Sequence, residues 1–349
     1  MGRGRVFGIL TATIVVLFLV SAVGAWFQVK LTERGDLPPE GATVTVEPGM
    51  STREIVAQLA RSGIVSDENA VLLWLTLTGK GRSLKAGSYE FATPVSPVEA
   101  IDKIRRGEVA ARRVTIPEGL NRFEVAETLS EKTGLAPPER FLELTADPGL
   151  IHDLDPEATS LEGYLFPDTY VFTPKSTPEE LVATMVSRFR SIYSSRPELS
   201  QNAAARHLTL HEVVTLASMV EEEARIDDER PVIASVFANR LAKGMKLASD
   251  PTFVYAAMLA GDYDGNVNNP RYRARMSPYN TYQVEGLPPG PITNPGMKSI
   301  EAVLQPADTD YLYFVVNGTE GRHKFSRTVE EHERAVAEYR KQQHDDATR

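Results

Sequence analysis

The stretch VFGILTATIVVLFLVSAVGAWF, residues 6–27, decides how the rest of the chain is organised. It carries no formal charge, and as a helix it would be roughly 33 Å long, enough to cross a hydrocarbon core of about 30 Å. Trp26 and Phe27 stand where aromatic side chains mark a membrane interface. The alternative is a cleavable signal peptide, which the small residues at 22–25 keep open, but such peptides have apolar stretches of only about 7–15 residues. The length favours an uncleaved transmembrane helix.

The charged residues on either side of this stretch do not determine its orientation in the membrane. Arg3 and Arg5 precede it, but Lys30 and Arg34 follow it, so the excess of positive charge on one side is too small to discriminate. The head, residues 1–5, is too short to be a domain, and no second apolar run of spanning length follows. We therefore expect a single-pass protein with a short cytoplasmic head and a large exported part.

Composition limits the classes of partner. The 349 residues carry a formal net charge of −9, which argues against a nucleic-acid partner because phosphate binding needs a concentrated basic surface. There are no cysteines, so disulfides, thiolate metal sites and cysteine nucleophiles are excluded. With 42% hydrophobic and 24% charged residues, the bulk of the chain is expected to fold into two or three globular domains.

A small module is predicted after a polar linker at residues 28–42. It covers residues 43–113 and begins with a short strand and a Pro48-Gly49 turn. The remaining predicted elements are a helix at 52–62 capped by Ser51, a second helix from Ser66, a strand at 85–91 and a helix from Ser96 to near Gly107. This strand-and-helix unit is similar to a LysM-like peptidoglycan-binding module, although many small α/β units share the pattern.

A larger mixed domain is predicted over residues 114–343, followed by a tail at 344–349. Its expected elements are a strand at 114–116, helices at 122–133, 178–194, 208–225 and 228–243, a helix opened by an Asp250 cap, strands at 311–316 and 323–325 around an Asn317-Gly318 turn, and a last helix at 328–343. Clustered helices with a few strands favour an α+β fold.

The best candidate for chemistry is the glutamate triplet that ends the segment LASMVEEE, residues 216–223. At roughly 100° per residue, Glu221 falls on the apolar face of the predicted helix, whereas Glu222 points away from it. A carboxyl buried there would have a raised pKa, as a general acid requires. The competing interpretation is a solvated acidic run at the end of a helix.

Two further segments are rich in turns and aromatic residues, LEGYLFPDTY at 161–170 and the proline-rich 277–296. They offer Glu162, Tyr279 and Asn280 as possible contacts for a sugar. The alternatives are a packed aromatic corner for the first segment and a structural crossover for the second. A metal site is not predicted, because His207, His211 and Glu212 lack the H-E-x-x-H order of zinc proteases. We expect no cofactor.

Five stretches in this order resemble the YceG-like endolytic murein transglycosylases, the MltG family. They are LEGYLFPDTY (161–170), ASMVEEEAR (217–225), IASVFANRLAKGMKLASDPT (233–252), SPYNTYQVEGLPPGPITNPG (277–296) and YLYFVVNGTEGRHKFS (311–326). The resemblance covers roughly residues 43–340. It implies that 114–343 is a catalytic domain and that Glu221 is the catalytic acid and base. The chain departs from the pattern at Glu222, where relatives often have lysine.

The resemblance also implies a reaction. A lytic transglycosylase cleaves the MurNAc–GlcNAc bond of nascent glycan strands, leaves 1,6-anhydro ends and is expected to end strand elongation. Glu162, Tyr279 and Asn280 are predicted to position the substrate. The candidate partners are peptidoglycan strands, peptidoglycan synthases and the inner (cytoplasmic) membrane, with the catalytic domain on its outer side. Two alternatives remain, a hydrolytic muramidase with Glu162 as second carboxylate and a non-catalytic wall-binding scaffold.

Overall fold

The computed structural model describes residues 3–267, 269–317 and 321–347. The chain divides into two compact units, a first unit of Met1–Arg112 with Thr173–Lys175 and a second unit of Arg113–Phe172 with Ser176–Arg349. Helices and three two-stranded sheets make up the described residues, so the predicted mixed α+β class is confirmed. The likeness of the small module to LysM stays a prediction.

The first unit opens with helix α1, Arg3–Thr32. It is long and apolar enough to cross a membrane over Thr13–Thr32. The helix continues into the segment for which a linker is predicted, and Leu31 near its end is buried in the core of the first unit.

The rest of the first unit is a two-stranded antiparallel sheet covered by three helices. Its elements are β1 Ala42–Val46, α2 Thr52–Arg61, α3 Glu68–Thr78, β2 Gly87–Phe91 and α4 Pro97–Arg106. Val44 of β1 pairs with Tyr89 of β2, and both side chains are fully buried. The predicted cap of α2 is confirmed, because Ser51 accepts a hydrogen bond from the Glu54 amide and Glu54 reaches back to Ser51.

The second unit packs mainly helices around one core. Its elements are β3 Arg112–Thr115, α5 Arg122–Thr133, α6 Pro138–Ala146, β4 Thr169–Phe172, α7 Pro178–Ser194, α8 Pro197–Ala205, α9 Leu210–Glu223, α10 Arg230–Ala242, α11 Asp250–Leu259, α12 Pro270–Ala274, α13 Met297–Leu304, β5 Tyr313–Asn317, β6 Arg322–Ser326 and α14 Val329–Ala347. Strand β3 pairs with β4, and β5 pairs antiparallel with β6. Gly318 of the predicted hairpin turn lies outside the described residues.

Helix α9 is the centre of this unit. Thr209 caps it through a capping box with Glu212, and α8, α10, α11 and α13 all pack against it. Most of its side chains are buried, so it is surrounded by protein on nearly all sides. The core therefore holds the last turn of α9, which carries the glutamate triplet, in a defined position.

Some elements differ from the sequence prediction. The sequence did not predict five short elements as helices or strands. They are helices α6, α8, α12 and α13 and strand β4. Helix α11 begins at Asp250, one residue earlier than expected, and its cap position is taken by Ser249. The Ser249 hydroxyl does not cap the helix because it donates to Glu223 at 2.6 Å. The cap prediction for Asp250 is wrong, because Asp250 is the first residue of the helix itself.

Candidate active site

A cleft of about 630 Å³ opens in the second unit at the end of α9. Its lining includes residues from α9, α11, the turn after β3 and the end of the proline-rich segment 277–296. Six carboxyl groups face it, those of Glu118, Glu124, Glu221, Glu222, Glu223 and Asp250. Tyr255 and Tyr263 supply aromatic surface. A polar cleft with aromatic walls is a suitable binding place for a sugar chain, whose rings stack and whose hydroxyls donate hydrogen bonds.

Glu221 is held by hydrogen-bond donors from two other elements. Arg230 Nη1, in the first turn of α10, lies 2.8 Å from Glu221 Oε1. Glu221 Oε2 accepts from the Ser299 hydroxyl of α13 at 2.7 Å and from the Gly296 amide at 2.9 Å. Only 9% of Glu221 is exposed, so this ion pair is largely removed from water. The carboxyl is positioned rigidly at the wall of the cleft.

These contacts confirm one part of the prediction for Glu221 and correct another. The helical phase is right, because Glu221 is buried while Glu222, the next residue, is exposed. The expected apolar surroundings are wrong for the carboxyl group itself, because it meets a guanidinium, a hydroxyl and a backbone amide. Charge-assisted donors of this kind stabilise the ionised carboxylate. Arg230 and Ser299 were missed because nothing local in the sequence signals their approach to Glu221.

The other two glutamates of the triplet have raised pKa values. Glu222 is the exposed residue of the triplet, but partial desolvation of its carboxyl at the cleft wall raises its pKa to about 8, and the charge of Glu124 adds to the rise. Burial raises the pKa of Glu223 to about 7, partly opposed by the hydrogen bond from Ser249. Two carboxyl groups with raised pKa values therefore lie beside Glu221.

Glu118 is a further cleft carboxyl that the sequence did not indicate. It lies in the turn after β3, and its pKa is raised first by partial burial and then by the charge of Glu221. Its carboxyl group lies so close to Gly296 that a Cβ at that position would overlap it. Glycine at 296 thus allows the close approach of Glu118 beside the amide that contacts Glu221.

Glu162 is buried behind the cleft and does not line it. Only 2% of it is exposed, and its carboxyl accepts from the Arg122 amide at 2.9 Å, the Tyr255 hydroxyl at 2.8 Å and the Asn294 side chain at 3.1 Å. Burial raises the pKa of Glu162 to about 7. Through these bonds Glu162 fixes the start of α5 and the cleft residue Tyr255. Direct contact with a substrate stays a prediction that this geometry does not support.

The proline-rich segment 277–296 reaches the cleft by its end rather than by its aromatic beginning. Asn280 is fully buried, and its amide nitrogen donates to three backbone carbonyls, those of Tyr272, Arg273 and Arg275. Tyr279 is half-buried with its ring centroid 5.2 Å from that of Tyr255. Neither side chain lines the cleft, whereas Ile292 and Thr293 do. The substrate contacts predicted for Tyr279 and Asn280 remain untested.

His211 ties this proline-rich segment to the core. Its Nδ1 lies 2.7 Å from Asp155 Oδ2, and its Nε2 lies 2.9 Å from the Pro289 carbonyl. The Asp155 carboxyl also accepts from the buried Tyr164 hydroxyl. The hydrogen bond that His211 donates to the Asp155 carboxylate raises the pKa of His211 despite its partial burial. His211 therefore supports the segment that places Gly296 beside Glu221.

Comparison with known proteins gives a consistent result. The profile of the YceG-like family matches residues 44–338. The chain is 32% identical over 313 residues to the endolytic murein transglycosylase of Bacillus subtilis, covering 85% of this chain and 84% of that protein. It is 30% identical over 357 residues to the protein of the same name from Streptococcus pneumoniae serotype 2, covering 93% of this chain.

The chain spans only 64% of the length of that streptococcal relative. Among solved structures, it is similar to a YceG-like protein from Listeria monocytogenes, with a TM-score of 0.57 and 31% sequence identity. That match covers 85% of this chain and 99% of the Listeria chain. The likeness therefore extends over both units rather than over the cleft alone.

Proposed function

The chain belongs to the YceG-like family, and on that premise we propose that it is an endolytic peptidoglycan lytic transglycosylase with Glu221 as its catalytic acid and base. The relatives named endolytic murein transglycosylases support the reaction class. The observation that carries the assignment of the residue is the position of Glu221 at the cleft wall, fixed by Arg230 and Ser299.

In the proposed reaction Glu221 acts twice. It first donates its proton to the oxygen of the MurNAc–GlcNAc bond, and the bond from C1 of MurNAc to that oxygen breaks. The N-acetyl group of the same sugar stabilises the developing cation. The Glu221 carboxylate then accepts the proton of the MurNAc 6-hydroxyl, whose oxygen bonds to C1. The product carries a 1,6-anhydro end, Glu221 regains its proton, and no water is consumed.

The surroundings of Glu221 suit both steps. Arg230, Ser299 and Gly296 stabilise the carboxylate that the second step requires. The first step requires the same carboxyl in its protonated form, at the wall of a cleft that a sugar chain would fill and clear of water. Because the sugar supplies its own nucleophile, a second catalytic carboxylate is unnecessary, in contrast to ordinary glycosidases.

The test is product analysis with the purified full chain and its Glu221→Gln variant. General acid–base catalysis contributes about 10²–10⁴-fold, so the variant is expected to lose at least about 10²-fold in the rate of glycan cleavage. Mass spectrometry of the released muropeptides is the measurement. Glu139→Gln, an exposed change on α6 away from the cleft lining, is the matched control and should cleave at the wild-type rate.

Each alternative predicts a different outcome of this experiment. Reducing ends in place of 1,6-anhydro ends would identify a muramidase, for which Glu118 is better placed than Glu162 as second carboxylate because it lines the cleft. Wild-type cleavage by a folded Glu221→Gln variant would refute the role of Glu221. Absence of any cleavage by the wild-type chain would favour the wall-binding scaffold.

We further propose that α1 anchors the enzyme in the cytoplasmic membrane, with the rest of the first unit and the whole second unit on the outer side. The supporting observation is the apolar span at Thr13–Thr32. An enzyme held there would meet nascent strands where synthases release them, and cleavage would end their elongation. The first unit is proposed to bind glycan as a LysM-like module.

A further inference from the structure

Helix α3 of the first unit is apolar on its outer face as well as its inner face. From residue 69 to residue 79 the sequence NAVLLWLTLTG has no charged side chain. Val71 and Leu75 are buried in the core, but Leu73 is 52% exposed and Leu77 is 72% exposed. These two leucines are four residues apart and so lie on the same side of the helix. A surface helix normally carries polar residues there.

This helix lies next to the end of the apolar span. Helix α1 packs against α3, and α1 is unbroken from the apolar stretch to Thr32. Phe27, the last residue of that stretch, already packs on the core of the first unit, and Leu31 is buried in it. One turn of helix, about 6 Å, separates the two residues. No spacer therefore exists between the apolar span and the domain that contains α3.

The residues beside the exposed leucines are those that favour a lipid–water interface. Trp74 is half-buried on the same helix, and Lys80 Nζ lies 4.9 Å from the centroid of its ring. Arg82, two residues further on, is exposed and forms no ion pair with any side chain that the structure describes. Tryptophan and basic side chains with long apolar stems are enriched at membrane interfaces.

We infer that the face of α3 formed by Leu73, Trp74 and Leu77 lies in the lipid–water interface of the membrane that α1 spans. The face would be a second membrane contact that fixes the orientation of the first unit on the bilayer. This inference rests on the proposed anchor but not on the proposed chemistry. Its occupant is phospholipid, because α3 packs directly against the membrane-spanning helix and the basic residue Arg82 follows the face along the chain.

The experiment uses native tryptophan fluorescence. The chain has two tryptophans, so Trp26→Phe leaves Trp74 as the only reporter. The full chain with this change is reconstituted in phosphatidylethanolamine and phosphatidylglycerol vesicles whose acyl chains are brominated near the headgroups. Trp74 fluorescence is expected to be quenched relative to vesicles without bromine. Adding Leu73→Gln and Leu77→Gln should remove most of that quenching, because the face would no longer enter the interface.

Control variants separate the contact from other failures. Val171→Gln changes an exposed valine of the second unit, 59% exposed, and should leave the quenching unchanged. Circular dichroism checks folding, and Leu77→Gln alone, at the more exposed leucine, replaces the double variant if that variant unfolds.

If the chain co-floats with the vesicles but Trp74 fluorescence is not quenched, the inference is overturned. A protein partner would then be the better candidate for this face. Equal quenching of the parent and the folded leucine variants would also overturn it. A chain that does not float would refute the anchor and the inference together. Glycan cleavage by the same preparations tests the chemistry separately.

Discussion

Two buried glutamates of the second unit, Glu221 and Glu162, show how different surroundings give the same type of side chain different properties. Glu221 is paired with the Arg230 guanidinium at 2.8 Å at the wall of the cleft. Glu162 is satisfied by neutral donors, namely a backbone amide, a tyrosine hydroxyl and an amide side chain. Burial raises the pKa of Glu162 to about 7. Low exposure alone therefore does not distinguish the two carboxyl groups, whereas the charge of the nearest donor and access to the cleft do.

The largest expected effect comes from removing the cation beside Glu221. Arg230→Met keeps much of the side-chain volume but leaves a buried carboxyl without its partner, which typically destabilises a protein by about 3–5 kcal/mol. Arg230 also holds Glu221 Oε1 at 2.8 Å, so its loss lets the Glu221 carboxyl move and should slow glycan cleavage by up to about 10²-fold. Urea unfolding and the rate of glycan cleavage by the folded variant are the measurements.

Arg230→Lys is the control for this prediction, because it retains the charge and loses only the geometry of the guanidinium. It should keep more of the stability and of the cleavage rate than Arg230→Met does. A folded Arg230→Met variant that cleaves glycan at the wild-type rate would show that Arg230 has only a structural role.

A smaller effect is expected at Glu162, and it depends on pH. Its folded pKa of about 7 lies above its ordinary value of 4.5. The stability from the protonated group is therefore fully present below about pH 4.5 and is lost as the pH rises through about 7. The glutamine of Glu162→Gln cannot ionise. The difference in melting temperature between this variant and wild type should therefore shift in favour of the variant as the pH rises from 5 to 8. Thermal unfolding at the two pH values measures this.

Glu162→Ala separates the charge of this residue from its hydrogen bonds. It leaves the Arg122 amide and the Tyr255 hydroxyl without an acceptor, at a cost of about 1–3 kcal/mol for each donor that stays unsatisfied, at both pH values. A pH-independent difference between Glu162→Gln and wild type would contradict the raised pKa.

The smallest effect is expected at Glu222, which is exposed in the cleft. Its pKa of about 8 is raised, so the stability it contributes is present at low pH and is lost as the pH rises through about 8. Glu222→Gln should be slightly more stable than wild type at pH 9 and indistinguishable from it at pH 5. Solvent screens charges at this exposed position. A large difference in stability between Glu222→Gln and wild type at pH 5 would therefore argue against ionisation of Glu222 as its cause.

Local sequence patterns determined much of the secondary structure. The bounds of α5 and α7 agree with those predicted, and the helical phase correctly turned Glu221 inward and Glu222 outward. These features depend on residues within one or two turns of each other, so periodicity and capping residues suffice to predict them. The apolar stretch at 6–27 likewise predicts a helix of spanning length from composition alone.

Only the tertiary structure decided what surrounds each carboxyl group. Arg230 is 9 residues from Glu221 in the sequence, but Gly296 and Ser299 are 75 and 78 residues away. Glu162 meets Tyr255 and Asn294 across 93 and 132 residues. Contacts over such separations depend on how α9, α10, α11 and α13 pack, which no local pattern encodes. The sequence alone thus determined which glutamate faces inward, and the packing of distant segments determined its charge environment.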